Sequence, residues 1–486
     1  MIISQERAFL KAQTQLRAIC RFVERAANDG QRIDQTEREL FAKLLAVGRT
    51  LLEAFVAACG DGDAGAELKL DDHLLHRLKG LHARRYLSIF GELFVKRRVY
   101  ARREGQKIEQ APLDARLGLP AGEFSYVLED WLQRLCVKES FSEAATSLRT
   151  ILGLAPSQRA AEQMNQRMSE HAEAFQAQQP APPGEEEGEI LVATADGKGV
   201  PMRRPLTERI HGSHPRRGKG EKANKKQMAY VGAVYSIDRF RRTADDVVDE
   251  VRRKQRAAAR PPPQHKQVWA EMTRAVEGEG CTGRERTFTE MAVACQERDP
   301  LHRKRLICLM DGERALWDMA REWLPRAVGI LDLFHVLERL WQAAYCFHAE
   351  RSSEAEAFVT TRLRMLLAGK AGYVIGGLKR LRNEHGLPRQ KRKTLNAAIQ
   401  YYENNREHMK YDEYLTAGYP IGSGMAEGAC RHLVKDRLEC TGMRWTVNGA
   451  QAMLHLRAVY LNGCWDDFVS YRIETEQTRL YRRSAA

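Results

Sequence analysis

Three short apolar runs in the middle of this chain each end in an aspartate: Ile190-Leu-Val-Ala-Thr-Ala-Asp196, Arg305-Leu-Ile-Cys-Leu-Met-Asp311 and Ala327-Val-Gly-Ile-Leu-Asp332. Continuous apolar runs of this length suit strands buried on both faces. Met228–Ile237 reads as a further strand, and helix patterns cover Phe288–Glu297 and Glu313–Trp323. Alternating strands and helices predict an α/β domain with a largely parallel sheet. In such sheets sites gather at the carboxyl ends of the strands, so Asp196 and Asp311 are the first candidates for chemistry.

A lone Asp at a strand end usually caps a helix or forms a turn, and Asp196-Gly197 and Asp311-Gly312 are also ordinary turn dipeptides. Two acids held together repel unless a cation neutralises both, and oxygen ligands suit a hard divalent ion. The third candidate is Glu427, where a Gly-Ser-Gly loop leads into a predicted helix Ala426–Leu438 with Ser423 as its candidate cap. Glu427, Arg431 and Lys435 fall at i, i+4 and i+8, on one helix face. An acid in a first turn can merely complement the helix dipole. An acid backed by two cations also fits a metal-held phosphate gripped by Arg and Lys.

The rest of the chain divides around these runs. Residues 1–85 have helical spacing, and Arg85–Tyr100 is aromatic and β-branched around a Gly, which predicts a short hairpin. Helices are expected over Gly122–Val137, Glu139–Leu152 and Ser157–Glu170. The last two, joined by Gly153-Leu-Ala-Pro with Ser157 as N-cap, fit a helix-turn-helix within 138–175 that offers Gln158, Arg159, Gln163, Asn165 and Arg167 to a DNA groove. Any helical hairpin gives the same pattern. Residues 176–189 are rich in Pro, Gly and Glu and read as a linker. The expected organisation is a helical region with a hairpin (1–137), the helix-turn-helix (138–175), the linker, a first core part (190–335), a helical insertion (336–415), a final core helix (416–450) and a helical tail (451–486).

Charge narrows the partners. The 486 residues carry 78 Lys+Arg against 64 Asp+Glu, a net charge of +14. Residues 202–227 hold nine Lys/Arg and two Glu, a net +7, and residues 379–393 hold seven and one, a net +6. Either run alone is commonly a solvated face; two beside a carboxylate core favour a phosphate-rich polymer. No Walker loop or G-x-G-x-x-G is present, so no nucleotide cofactor is implied. No uncharged run approaches the ~18 residues of a membrane span, and Met-Ile-Ile-Ser-Gln-Glu-Arg is unlike a secretory signal. The ten cysteines never pair as C-x-x-C, which predicts reduced thiols in a cytoplasmic protein.

The segment Tyr419–Trp445, together with Ala195-Asp-Gly-Lys-Gly-Val, Leu309-Met-Asp-Gly-Glu-Arg and Leu331-Asp-Leu-Phe-His-Val-Leu-Glu, resembles the Kra-type insertion-sequence transposases of the DDE superfamily. The resemblance covers most of the chain, including Pro112–Pro120 and Ser140–Ala145. It implies a ribonuclease-H-like mixed sheet core with an all-helical insertion, preceded by the helical region. It implies that Asp196, Asp311 and Glu427 are the catalytic and metal-binding acids, spaced 115 and 116 residues apart. It further implies two Mg²⁺ (or Mn²⁺) ions roughly 3.5–4 Å apart, cleavage and strand transfer on double-stranded DNA, and a homo-oligomer acting on paired ends in the nucleoid. Within the matching segment Arg431, Lys435, Arg437, Arg444 and Trp445 are expected to touch DNA, with Arg159 and Arg167 from the N-terminal helices. Asp332 and His335 match an accessory motif of related transposases; a helix cap beside a satisfied histidine is the plain alternative. Relatives often carry a Cys pair near the hairpin, where this chain has Tyr100-Ala-Arg-Arg-Glu-Gly, so no zinc is expected there. A structure-specific nuclease with the same core and a DNA-binding protein that no longer cuts are the competing functions.

Overall fold

The computed structural model describes residues 2–70, 73–203, 226–252, 260–273, 281–422, 424–440 and 442–481, without the side chains of 2–8 and 425–427. Most of the basic run 202–227, and Ser423, therefore lie outside the described residues. The chain forms two compact units, one of Met1–Phe175 with Cys464–Ala486 and one of Gln176–Gly463.

The first unit opens with two long helices, α1 (Ile2–Asn28) and α2 (Ile33–Ala58). The expectation of helix through residue 85 fails beyond this point. Gly60, Gly62 and Gly65 take positive φ and break the chain. Short strands come next: β1 (Glu67–Lys69), β2 (Leu74–Arg77), β3 (His82–Ser88), β4 (Gly91–Arg97) and β5 (Tyr100–Ala101). Strands β3 and β4 pair antiparallel from His82↔Arg97 to Ser88↔Gly91, so the hairpin starts a few residues earlier than its sequence suggests. After α3 (Pro112–Arg116) come α4 (Tyr126–Cys136), α5 (Phe141–Leu152), α6 (Gln158–Ser169) and α7 (Ala172–Gln176). A capping box of Ser140 and Glu143 starts α5, Gly153 ends it in the left-handed region, and the Ser157 hydroxyl accepts from Ala160 N–H to start α6.

The second unit is a mixed α/β layer structure. Its five strands are β6 (Ile190–Pro201), β7 (Lys226–Ile237), β8 (Gln264–Met272), β9 (Arg305–Met310) and β10 (Val328–Leu331), in the order β10-β9-β6-β7-β8. Strands β6, β7 and β8 form an antiparallel meander, while β9 and β10 run parallel to β6. The sheet is therefore mixed rather than largely parallel, because β6 continues past Asp196 into a long hairpin with β7. Strand β8 was not legible: it comes after Pro261–Pro263 and begins Gln-His-Lys-Gln. Its outer edge is covered by the amides of Gln451 and Asn462, which bond to backbone groups of Val268, Ala270 and Met272. That removes an open strand edge.

Helices α8 (Ala244–Val251), α9 (Gly283–Arg298) and α10 (Arg314–Trp323) accompany the strands. After β10 the chain stays helical through α11 (Leu333–Ala344), α12 (Ser353–Leu367), α13 (Ala371–Glu384), α14 (Arg389–Asn404) and α15 (Tyr411–Thr416). Three tyrosines from this block donate to backbone carbonyls near β10: Tyr402 to Val336 (2.9 Å), Tyr411 to Leu331 (2.8 Å) and Tyr414 to Gly329 (3.1 Å). A single apolar core joins the sheet to these helices. The chain ends with α16 (Gly424–Cys430), a π-turn over Arg431–Lys435, α17 (Asp436–Leu438), α18 (Val447–Leu461), which spans the expected boundary at residue 450, and α19 (Trp465–Tyr481) in the first unit.

The segment 176–189 is not wholly solvated. Glu187 is completely buried on Arg298, whose Nε donates at 2.6 Å, and Arg298 also donates to the His265 carbonyl at 2.9 Å. Among the described residues no helix is long and apolar enough to cross a membrane.

Candidate active site

Strand register brings the acids together. Ala193 of β6 is paired with Cys308 of β9, so Asp196 and Asp311 each lie three residues beyond the same rung and point to one face. Asp332 comes directly after Leu331, which pairs with Met310, and its N–H bonds to the Met310 carbonyl at 2.8 Å. Three acids thus stand abreast on three neighbouring strands, just past the two pairings that join them. Asp196 is not at a strand end: β6 continues to Pro201 against β7 alone, and Asp196 lies just past the point where the pairing with β9 stops.

Each acid is held differently. Asp196 accepts its neighbour Gly197 N–H at 2.7 Å, and Asp311 accepts from Glu313 N–H at 3.0 Å in an Asx-type turn. The turn needs Gly312, since a Cβ there would lie 2.3 Å from the Tyr401 ring. Burial raises the Asp311 carboxyl above the usual carboxylate range, and the charges of Asp196 and Asp332 add to that. Glu313, which no sequence motif singles out, is raised by burial and by Asp311. A pocket of acids that hold their protons too tightly is electrostatically short of a cation.

Asp332 is fully buried as the N-cap of α11, accepting from Phe334 N–H at 3.3 Å, and its other oxygen meets His335 Nδ1 at 2.7 Å. The pair therefore matches the plain alternative: the acid caps the helix and fixes the ring of a partly exposed histidine.

Helix α16 crosses β6 and β7. Burial pushes the Cys430 thiol up and the Asp196 carboxylate beside it adds to that, so Cys430 marks the face of α16 that meets the acids. Glu427 lies three residues earlier on that helix, a neighbouring position on its surface; its side chain is outside the described residues. The loop leading into α16 is tied to the start of α11 by Leu333 N–H bonding to the Ile421 carbonyl at 2.9 Å.

The expected straight row of Glu427, Arg431 and Lys435 does not form. The π-turn holds one extra residue, which rotates the downstream turn by about 100° relative to a continuous helix. Arg457, from α18, supplies donors for the π-turn carbonyls of Leu433 (2.9 Å) and His432. Burial and the nearby Arg437 push the Arg457 guanidinium down to about 10.

Arg431, Lys435 and Arg444 are exposed, and Arg431 approaches Asp436 at 3.6 Å. Arg437 and Trp445 are corrections, because both are buried. The Arg437 guanidinium lies 5.1 Å from the Trp445 ring and donates to Met443 sulfur, while Trp445 Nε1 donates to the Leu438 carbonyl. They brace the segment after α17 from inside the fold. In the first unit Arg159 is exposed and Arg167 lies 3.5 Å from the buried Glu129, but Asn165 is buried on Gln133 at 2.9 Å and cannot read a groove. In the 379–393 run, Arg380, Arg389, Lys391, Arg392 and Lys393 are exposed.

No protein-family model matches this chain, and no curated protein matches it.

Proposed function

We propose that the chain is a DNA transposase of the DDE type, cutting and joining strands at insertion-sequence ends on a ribonuclease-H-like core. The observation that supports this reading is the register of Asp196 and Asp311 on neighbouring parallel strands, with the helix bearing Glu427 laid across β6 and its Cys430 beside Asp196. The antiparallel β6–β7–β8 meander joined to parallel β9 and β10, with a helical block before the last acid, supports the fold part of the proposal.

Asp196, Asp311 and Glu427 offer only oxygen donors, and the raised Asp311 carboxyl calls for positive charge, so the residues fit Mg²⁺ or Mn²⁺. When bound, such ions lower the pKa of a nucleophile and offset charge on phosphate oxygens. The protein's own part is placement. The Asx turn and Gly312 hold Asp311, the Asp332 carboxylate holds His335 beside it, and exposed Arg431, Lys435 and Arg444 are available to the DNA backbone. In cleavage a water attacks phosphorus and the P–O3′ bond at the element's end breaks, leaving a 5′-phosphate on the flank and a 3′-hydroxyl on the element; that hydroxyl then attacks a target phosphate and expels the target strand's 3′-oxygen as a new 3′-hydroxyl. The helical pair α5–α6, presenting Arg159 and Arg167, is assigned end recognition, and the enzyme acts as an oligomer on paired ends.

Glu427→Gln tests the reading. It keeps side-chain shape and removes the charge, so end DNA still shifts in a gel while Mg²⁺-dependent nicking is lost. Normal nicking by the variant removes Glu427 from the catalytic set and with it the DDE assignment.

A further inference from the structure

The last helix of the chain reaches the recognition pair through one buried carboxylate. Helix α19 belongs to the first unit, and its buried residues Trp465, Phe468, Arg472 and Glu476 fall at i, i+3, i+7 and i+11, a single stripe of the helix. The first half of the stripe is aromatic. Phe468 meets the Phe175 ring edge-on at 5.4 Å, and Trp465 Nε1 donates to Asp130 at 2.7 Å. The second half is charged. Arg472 donates to Glu129 of α4 and, at 3.2 Å, to Glu476, and His171 stands 3.7 Å from Glu476.

Glu129 is where α19 and α6 meet. One of its oxygens takes Arg472, and the other lies 3.5 Å from Arg167 of α6. The two cations are not equivalent. The Arg472 side chain is 4% accessible and sealed inside the unit, whereas Arg167 is 47% accessible and leans on the acid from the surface. A carboxylate as buried as Glu129 must be neutralised by something close. With Arg472 in place that demand is met from inside; without it, Arg167 is the one cation left within 4 Å of Glu129 among the described residues.

We propose that Arg472 is a positioning residue for DNA recognition. By neutralising Glu129 from within, it leaves the Arg167 guanidinium free to turn outward and grip a phosphate. The end of the chain thereby sets how much of α6 is available to DNA. The proposal rests on the recognition role assigned to α5–α6, and involves none of the acids of the second unit.

Two readouts on the full chain test it. Anisotropy of a labelled duplex carrying the element's end reads the phosphate contact. Arg472→Met draws Arg167 onto Glu129, so the slope of log affinity against log salt should fall by about one contact. Glu129→Gln/Arg472→Met removes the acid as well and should restore the wild-type slope, which a merely structural Arg472 would not allow. Thermal unfolding reads the electrostatics without DNA. Arg167→Met should shift the melting midpoint by about 2 °C or less in the wild-type background, the scale of a pair whose cation is solvated. In the Arg472→Met background it takes the last cation from a buried carboxylate, and the shift should be about 10 °C. Should Arg472→Met unfold, Arg472→Gln, which keeps a donor for Glu476, carries the same comparisons. Equal Arg167→Met shifts in the two backgrounds, or a slope that Glu129→Gln does not restore, overturns the proposal. A wild-type affinity that ignores salt sinks the recognition reading itself, and the role of Arg167 with it, whatever the melting cycle shows.

Discussion

Replacing Asp311 by Asn separates a cation-binding acid from a structural one, because the two predict opposite changes in stability. Without metal, burial and the charges of Asp196 and Asp332 raise the Asp311 carboxyl, so the folded protein binds that proton more tightly than the unfolded chain does. Where the folded state holds more protons, stability falls as pH rises, and the loss is complete above the folded pKa. Asparagine cannot ionise, yet its oxygen can still accept the Glu313 N–H now bonded at 3.0 Å. In EDTA near pH 7.5 the variant therefore melts above wild type, and the gap closes as pH falls below the ordinary carboxylate range. Divalent metal reverses the order. An ion at 100 times its dissociation constant stabilises the folded state by about 2.7 kcal/mol. At about 2–4 °C per kcal/mol for a unit of this size, wild type gains about 5–10 °C and the variant little. Scanning fluorimetry across pH, with and without Mn²⁺, reads both effects. A variant that melts below wild type in EDTA, or that gains as much from Mn²⁺, refutes the argument.

Three further outcomes are expected. Glu187→Ala strands the buried Arg298 guanidinium and should cost about 3–5 kcal/mol in urea unfolding, whereas the exposed neighbour Glu186→Ala stays within about 0.5 kcal/mol; equal effects would return this stretch to a plain linker. Gly312→Ala drives a methyl into Tyr401 and displaces the Asp311 turn, so nicking should fall by about 100-fold while a mobility shift survives; full activity would mean that the turn is not held by that packing. End-DNA affinity, measured by anisotropy, should fall on the order of 10³–10⁵-fold between about 50 and 200 mM salt if some 6–10 phosphates are contacted, and a flat titration would remove DNA as the main partner.

The parts of this molecule that could be read from sequence were those where one physical demand dominated. Strands β6, β9 and β10 are buried on both faces, so their apolar runs stand out, and the aspartates that end those runs fall into register as a consequence. The capped turn from Gly153 to Ser157 was equally legible, since left-handed glycine and a serine cap are local chemistry. Strand β8 was missed because it is an edge strand whose outer side is satisfied by Gln451 and Asn462, nearly 200 residues away in sequence. Burial of Arg437 and Trp445 was equally invisible: a cation in a basic segment gives no sign that it lies against an indole inside the fold. Cys430 and Glu313 join the acidic cluster only through three-dimensional neighbours, and neither residue type advertises that role at its position.

The helix bearing Glu427 is stitched down on both sides of its length. Ahead of it, the Ile421 carbonyl is bonded to Leu333; behind it, Trp445 exchanges backbone hydrogen bonds with Pro201 and Arg203 at the tip of β6. Between these two stitches the path is longer by one residue than a regular helix requires, and the π-turn over Arg431–Lys435 stores the surplus. The acid's position is consequently a matter of counting: it depends on how many residues separate the anchors more than on which residues they are. Single exchanges at exposed members of the turn should leave the backbone path between the two anchors unchanged, while deletion of any one of them would straighten the helix and turn the residues on one side of it by about 100° relative to those on the other.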